Sequence, residues 1–291
     1  MLNLIVSPKS HNSNAENITK TVVKFLKAEN VEYSVYFSRS FEDLKENVQT
    51  LISFGENEFV IVGDDVVIFE VLNSIKDITK IKLGIIPTSK KDDFATYLNL
   101  PTHPIDAIKK ILKKKLASID FMLVNNMKVV NNVIIGASVD AVEAYEQFKI
   151  KNSISKSFAV SKYGNNFAGI ELSLDSKGTK TKKENIFELI VANGGRSKGK
   201  AISPLANVED GWFNLSYTTM EDVEDKKKII NSYNDGEHIY NENAKQLWLN
   251  NLKISNADKK IKALIDGRVY NLESLDIVLI EKGLKIYSSK P

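Results

Sequence analysis

Over the first 120 residues, apolar positions fall alternately in short unbroken runs and in runs spaced three or four apart. Leu4–Val6, Tyr33–Phe37, Phe59–Val62 and Lys82–Ile86 read as strands, the last closed by Pro87. Between them, Ile18, Val22, Phe25 and Leu26 take the spacing of one helix face, and Phe41, Leu44, Val48, Leu51 and Ile52 repeat it. Val66–Asn73, Asp93–Leu98 and a segment carrying Ile105, Ile108 and Leu112 complete the helical set. Strands alternating with helices predict a parallel sheet covered on both faces.

Beyond about residue 120 the texture changes. Val129–Ile135, Glu171–Leu174, Phe187–Val191, Phe213–Tyr217, Gln246–Ile254, Lys260–Ile265 and Leu275–Ile280 are strand-like runs, most of them separated by polar turns. The helix-like Asp140–Ile150 and the segment 155–167 also lie in this half. Repeated strands without long helices predict an antiparallel sandwich or barrel. The boundary falls near 120–128, giving an α/β domain over 1–124 and a β-rich domain over 125–280.

Composition narrows the chemistry. The 291 residues are 43% hydrophobic and 26% charged, ordinary globular values, and their number suggests two domains. With no cysteine, disulfides, thiol nucleophiles and thiolate metal sites are excluded. His11, His103 and His238 are far apart and read as surface or loop residues. Trp212 and Trp248 read as core aromatics. A net charge of +3 is too small to argue for nucleic acid as a partner. The N-terminal apolar run lacks the flanks of a signal peptide, and no segment approaches the roughly 20 apolar residues of a spanning helix. A cytoplasmic protein is the expectation.

Ligands of α/β sheets sit beyond the carboxyl ends of the strands. Three polar stretches fall there, SPKSHNS after the first strand, GDDVV after the third and PTSKKDDFA after the fourth, each preceding a helix whose free amides can hold phosphate. Together they point to an anionic ligand. The plainer readings are that Asp64 or Asp65 caps the helix beginning near Val66 and that Lys90 and Lys91 are solvated. The runs KKILKKKL (109–116) and KGTKTKK (177–183) read as a solvated helix face, with contact to anionic lipid as its alternative, and as a hairpin tip.

These stretches resemble the bacterial diacylglycerol kinases and related lipid kinases, whose catalytic domain is similar to that of NAD kinases. The family's Asn-Pro-x-Ser-Gly corresponds to Ser7-Pro8-Lys9-Ser10-His11, and its Gly-Gly-Asp-Gly-Thr-x-x-Glu-Val-x-Asn to residues Gly63 through Asn73. Its Pro-x-Gly-Thr-x-Asn-Asp-Phe-Ala corresponds to Pro87 through Ala95. Asn193-Gly194, Pro204-Leu205-Ala206, Asp210-Gly211 and Ile265-Asp266-Gly267 carry its later landmarks, in order.

The resemblance implies a Rossmann-like α/β domain, completed by residues 281–291, and an antiparallel β-sandwich-like domain, with the ligand in the cleft between them. It implies ATP-dependent phosphoryl transfer to a lipid hydroxyl, with Asp65, Asp93 and Asp266 as working carboxylates. Ser10, Ser38, Gly63, Asp65 and Lys90 would meet the nucleotide. Asp210, with the carbonyls of Asn207 and Trp212, would hold a structural Mg2+, a second role for the ion being with ATP. The implied partner is a membrane lipid such as diacylglycerol, with peripheral membrane contact and a homodimer as further expectations. Departures gather in the nucleotide loops: Asp64, Val66 and Val67 replace Gly, Gly and Thr, Ser89 and Lys90 replace Gly and Thr, and His11 replaces Gly. Val66 implies a reshaped loop, because β-branched residues avoid positive φ. Arg268 stands in place of a glutamate and cannot accept a proton. Three functions remain open: a lipid kinase, a non-catalytic binding or regulatory protein, and an enzyme acting on another substrate, with an altered phosphate donor held by Lys90 and Lys91.

Overall fold

The structure, a computed structural model, describes residues 1–8, 14–89, 92–177, 182–197 and 199–288, with the backbone alone at Lys156. Ser10, His11, Lys90, Lys91 and the centre of the 177–183 run lie outside the described residues. The chain divides into two compact units, Met1–Phe121 with Glu281–Pro291, and Met122–Ile280.

The first unit runs β1 (Leu2–Val6), α1 (Ala15–Ala28), β2 (Tyr33–Phe37), α2 (Phe41–Ser53), β3 (Glu58–Gly63), α3 (Asp65–Ser74), β4 (Lys82–Pro87), α4 (Asp93–Tyr97), α5 (Pro104–Leu112) and the start of β5 (Leu116–Val124). Its strands pair in parallel in the order β2, β1, β3, β4. The last residues of the chain's final strand extend the sheet at the far edge, Lys285 and Ile286 opposite Lys82 and Leu83. Strand β1 is buried along its whole length because both faces are covered. Leu4 and Val6 meet Val22 and Leu26 of α1 and Ile108 and Ile111 of α5. Helix α2 is started by Ser40, whose side chain accepts the Asp43 N–H.

The second unit continues with β6 (Met127–Val129), β7 (Asn132–Gly136), α6 (Ala137–Glu146), α7 (Ser153–Ala159), β8 (Ile170–Asp175), β9 (Lys182–Ala192), β10 (Arg196–Ser197), β11 (Lys200–Ala201), β12 (Phe213–Thr219), α8 (Lys226–Asp235), β13 (Lys245–Leu249), β14 (Asn251–Ser255), β15 (Ile261–Ile265), β16 (Arg268–Leu272) and β17 (Ser274–Tyr287). Its strands pair antiparallel in the order β16, β15, β7, β9, β8, β14 and the first half of β17, with β12 and β13 branching from β9. One face carries α6 and α8, which bury Ala137, Val139, Ile230 and Tyr233 against Ile134, Phe187, Ile190 and Leu264.

Several expectations need correction. The run Val129–Ile135 is two strands, because the amides of Val130 to Asn132 turn away from the ladder to a carboxylate. His238 is fully buried and stacked on Tyr233, with ring centroids 4.2 Å apart. Burial lowers its pKa to about 4. Trp212 and Trp248 are 45% and 49% exposed, so neither is a core residue. The helix α8 has no counterpart in the sequence reading, although Asp225 caps its start and Gly236, at φ 73°, ends it.

Candidate functional site

In the first unit, the parallel register brings the carboxyl ends of the strands to one edge, with Val6 opposite Phe37 and Val62, and Gly63 opposite Pro87. Ser7, Ser38, Gly63 and Thr88 therefore share that edge. Ser38 is buried and its hydroxyl accepts from the Asn47 side chain at 3.4 Å.

The turn from β3 into α3 is short. Asp64 is extended, its carboxylate accepts the Val67 N–H at 3.2 Å, and it is the N-cap of α3. Val66 already lies within the helix, and no described non-glycine residue between 31 and 98 has positive φ. The reshaping that Val66 implies thus takes the form of a direct strand-to-helix turn, in which a β-branched residue is unstrained. Val67 packs against Gly63, where an added Cβ would come within 2.6 Å of the valine Cβ.

The neighbouring aspartates also bond to main-chain donors. Asp65 accepts the N–H of Asp93 at 2.7 Å and of Phe94 at 3.0 Å, holding the first turn of α4. Asp92 accepts the N–H of Thr88 and of Ser89, both at 2.9 Å. Five amides at this edge, those of Val67, Thr88, Ser89, Asp93 and Phe94, therefore already have carboxylate acceptors. Burial pushes Asp65 up to about 7 against the pull of the two amides, with the Asp93 and Asp92 charges adding to the rise. Burial likewise pushes Asp92 up to about 6, and Asp64 and Asp93 reinforce it. A polyanion brought here would meet the carboxyl groups of Asp64, Asp65, Asp92 and Asp93, and these five amides only by displacing their acceptors.

In the second unit, Asp266 and Gly267 form the two-residue turn between β15 and β16, with φ of 41° and 85°. Both residues at positive φ suit a tight hairpin, for which Asp-Gly is a favoured pair. The Asp266 carboxylate is buried and accepts three main-chain N–H groups, from Val130 at 2.8 Å, Asn131 at 2.9 Å and Asn132 at 3.0 Å. Burial raises its pKa to about 6 against these donors.

Asp210 lies in an exposed turn, where Oδ1 accepts the Trp212 N–H at 3.0 Å. Among the described residues, no three acidic or histidine side chains gather as a metal cluster. A cation at Asp210 would rest on one carboxylate and on carbonyls such as those of Asn207 and Trp212. Oxygen donors of this kind suit Mg2+, which keeps several waters.

The second unit also holds a cavity of about 240 Å³ lined by Ile134, Ala141, Ile190 and Leu264, with Glu188 and Ser138 as polar groups in its wall. Glu188 is fully buried, accepts the Ser138 N–H at 3.0 Å and hydrogen-bonds its hydroxyl. Gly136, at φ 128°, permits this approach, since a Cβ there would meet the Phe187 carbonyl at 2.3 Å. The sequence reading passed over Glu188. Its one signal was a charged residue inside the apolar run Ile186–Ala192.

Residues 1–124 match the model of the Diacylglycerol kinase catalytic domain. Residues 1–124 belong to that family. A diacylglycerol kinase of Staphylococcus carnosus (strain TM300) is 20% identical over 278 residues, covering 94% of this chain and 90% of that protein. The crystal structure of a diacylglycerol kinase from Bacillus anthracis str. Sterne superposes with a TM-score of 0.73 at 16% identity, covering 99% of this chain and 96% of that one. An NAD kinase from Archaeoglobus fulgidus, in complex with ATP, gives 0.51 at 12% identity, covering 99% and 92%. The fold is thus that of the diacylglycerol kinases and NAD kinases, an α/β domain followed by a large antiparallel sheet region. No helix of the described residues is long and apolar enough to cross a membrane.

Glu188 gives the second unit a pH dependence. Burial raises its pKa from 4.5 to about 8, and the Ser138 and Ala137 donors oppose the rise. Because the folded value is the higher one, the stabilisation is complete below about 4.5 and is lost as pH rises through about 8. Thermal melts between pH 6 and 9 should show falling stability, on the order of a few kcal/mol. Glu188→Gln should flatten that fall, and an unchanged slope would refute the assignment.

Proposed function

We propose that this diacylglycerol-kinase-type chain is a lipid-binding family member that does not transfer phosphoryl groups from ATP in the family's manner. One observation carries the reading: the five amides at the sheet edge already donate to Asp64, Asp65 and Asp92. A bound phosphate would have to displace carboxylates and enter beside their charge. Asp65 and Asp93 remain at that edge and Asp266 remains in its motif, but here Asp65 and Asp266 act as structural groups. Asp65 fastens α4, and Asp266 fastens the β6–β7 connection. At Asp210 the main-chain and carboxylate oxygens would hold Mg2+ as a brace for the turn.

The ligand is a lipid of the diacylglycerol class, with an acyl segment in the cavity of the second unit. The cavity exceeds the roughly 150 Å³ apolar site that admits benzene in an engineered protein. Aliphatic side chains such as Ile134, Val142, Ile190, Ile202 and Leu264 offer a surface for a hydrocarbon segment, and Glu146, Glu188, Lys200 and Asn234 put polar groups in the same wall.

A fluorescent diacylglycerol analogue titrated into the full chain tests this. Ala141→Phe fills the cavity and should weaken binding about tenfold or more, a loss of about 1.4 kcal/mol. Ala141 is on the helix that lines the cavity, so a melt accompanies the titration. Unaltered affinity in a folded variant would exclude the cavity. The second reading, an active lipid kinase, is favoured by the retention of Asp65, Asp93 and Asp266. It predicts labelled transfer from ATP to diacylglycerol that is lost in Asp93→Asn.

A further inference from the structure

Helix α6 finds its first acceptor in a different way from its neighbours. Helices α2, α3 and α8 are capped by Ser40, Asp64 and Asp225, each the residue just before its helix and none of them buried. Before α6 stands Gly136, which has no side chain to offer. The acceptor comes instead from Glu188 on β9, which the register sets opposite Gly136. A cap needs only one oxygen for the Ser138 N–H. Here a whole carboxyl is buried to supply it, and its second oxygen is hydrogen-bonded to the Ser138 hydroxyl.

Both side chains line the cavity, but Ser138 keeps 8% of its surface and Glu188 keeps none. A ligand therefore reaches the hydroxyl and not the carboxyl behind it. Other polar groups of the wall have their own partners. The Tyr233 and Thr218 hydroxyls pair at 3.0 Å, and the exposed Lys200 and Glu146 pair with Asp235 and Lys151. Burial keeps Glu188 protonated at neutral pH. A neutral carboxyl has one O–H to donate, and giving it to the serine oxygen leaves the serine's own proton for another acceptor.

We infer that the Ser138 hydroxyl, positioned by Glu188, donates to the ester carbonyl of the acyl segment held in this cavity. An acyl chain is apolar except at that carbonyl. A donor set in an aliphatic wall selects the ligand that carries the matching acceptor. Ser138 makes the contact, and Glu188 acts through it as a positioning residue.

Ionisation undoes the arrangement, because a carboxylate only accepts and draws the serine proton back. The charged and titratable groups facing Glu188 are Asp140 of α6, itself held by Lys262 of β15, and Tyr233 of α8. The Asp140 charge favours the neutral carboxyl, and burial raises Tyr233 above the ordinary tyrosine value. Opposite Glu188 on β12 and β7 stand Thr218 and Gly136, which do not titrate here.

The inference rests on the lipid-ligand reading, and the test separates the two. A fluorescent diacylglycerol analogue is displaced from the full chain by dioctanoylglycerol or by dioctylglycerol, a diether without carbonyls. The wild type at about pH 6.5 should prefer the diester about tenfold, the worth of one hydrogen bond at the upper end of its range. Ser138→Ala keeps the main-chain N–H that Glu188 caps, and should cut the preference to about twofold or less without weakening the diether. The wild type should lose the preference at about pH 9, where the carboxyl is ionised. Glu188→Gln, whose NH2 donates to the hydroxyl while its carbonyl accepts the Ser138 N–H, should keep it at both values. Equal affinity for the two lipids in the wild type, a preference retained in Ser138→Ala, or one unchanged at about pH 9 would each overturn the inference. If Ala141→Phe weakens both lipids while the wild type does not discriminate, this inference alone fails. If Ala141→Phe weakens neither, the lipid reading of the cavity fails and takes the inference with it.

Discussion

Replacing Asp266 by alanine should lower the stability of the second unit by about 3 kcal/mol or more, through three buried N–H groups left without an acceptor at about 1–3 kcal/mol each before relaxation. The donors are the amides of Val130, Asn131 and Asn132, all within 3.0 Å of the carboxylate. Alanine at φ 41° adds backbone strain that aspartate and asparagine tolerate better. For a domain of this size the loss corresponds to about 6–12 °C in melting temperature. Asp266→Asn separates the effects. It keeps one carbonyl oxygen for the Asn131 and Asn132 donors but turns an NH2 group toward Val130, so it should fall between wild type and alanine. Thermal melts without any ligand read this directly. A wild-type melting temperature in Asp266→Ala would remove the anchoring role and return Asp266 to the list of uncommitted carboxylates.

The double substitution Asp64→Gly with Asp92→Asn should raise the affinity for Mg-ATP by about tenfold or more, equivalent to about 1.4 kcal/mol. Asp64 and Asp92 stand where the family has glycine and asparagine, and their carboxylates hold the amides of Val67, Thr88 and Ser89. The change frees the Val67 amide and leaves Thr88 and Ser89 with a neutral partner. Two negative charges a few ångströms from a phosphate are worth about a kcal/mol or more each at an effective dielectric constant near 20. The lost cap on α3 costs about 1 kcal/mol of stability without ligand. Val66 needs no reversion, because it is already helical. The readout is the rise in melting temperature with Mg-ATP concentration, which ligand linkage makes proportional to RT ln(1 + [L]/Kd). The same response in the wild type and the double variant would show that these carboxylates do not close the edge.

Much of the first unit was legible because each element carries its own period. Leu4–Val6, Phe59–Val62 and Lys82–Ile86 are short buried runs, and the helices between them show a single apolar face. In the second unit the long-range partners decide. Within the run Val129–Ile135 the one local signal of a break is Asn131-Asn132. The break is made by Asp266, more than 130 residues away in sequence. Strand β16 escaped notice although Asp266-Gly267 is a hairpin signal in its own right. Residues 275–280 and 284–287 form one strand, β17, with Lys282 at φ 51° donating its N–H to Asp120.

At the candidate site, Asp64 as a helix cap could be read from GDDVV, because capping is local. The reach of Asp65 to α4, and of Asp92 back to Thr88 and Ser89, depends on how two loops fold together. The family landmarks drew attention to Asp65 and Asp266, but the main-chain amides these carboxylates accept could not be read from the landmarks.

The central claim is that the carboxylates of the first unit occupy the amides a nucleotide would need. Its most direct test is a calorimetric titration of Mg-ATP into the wild-type chain. No saturable heat up to millimolar nucleotide is the expected result, and binding in the micromolar range would contradict it.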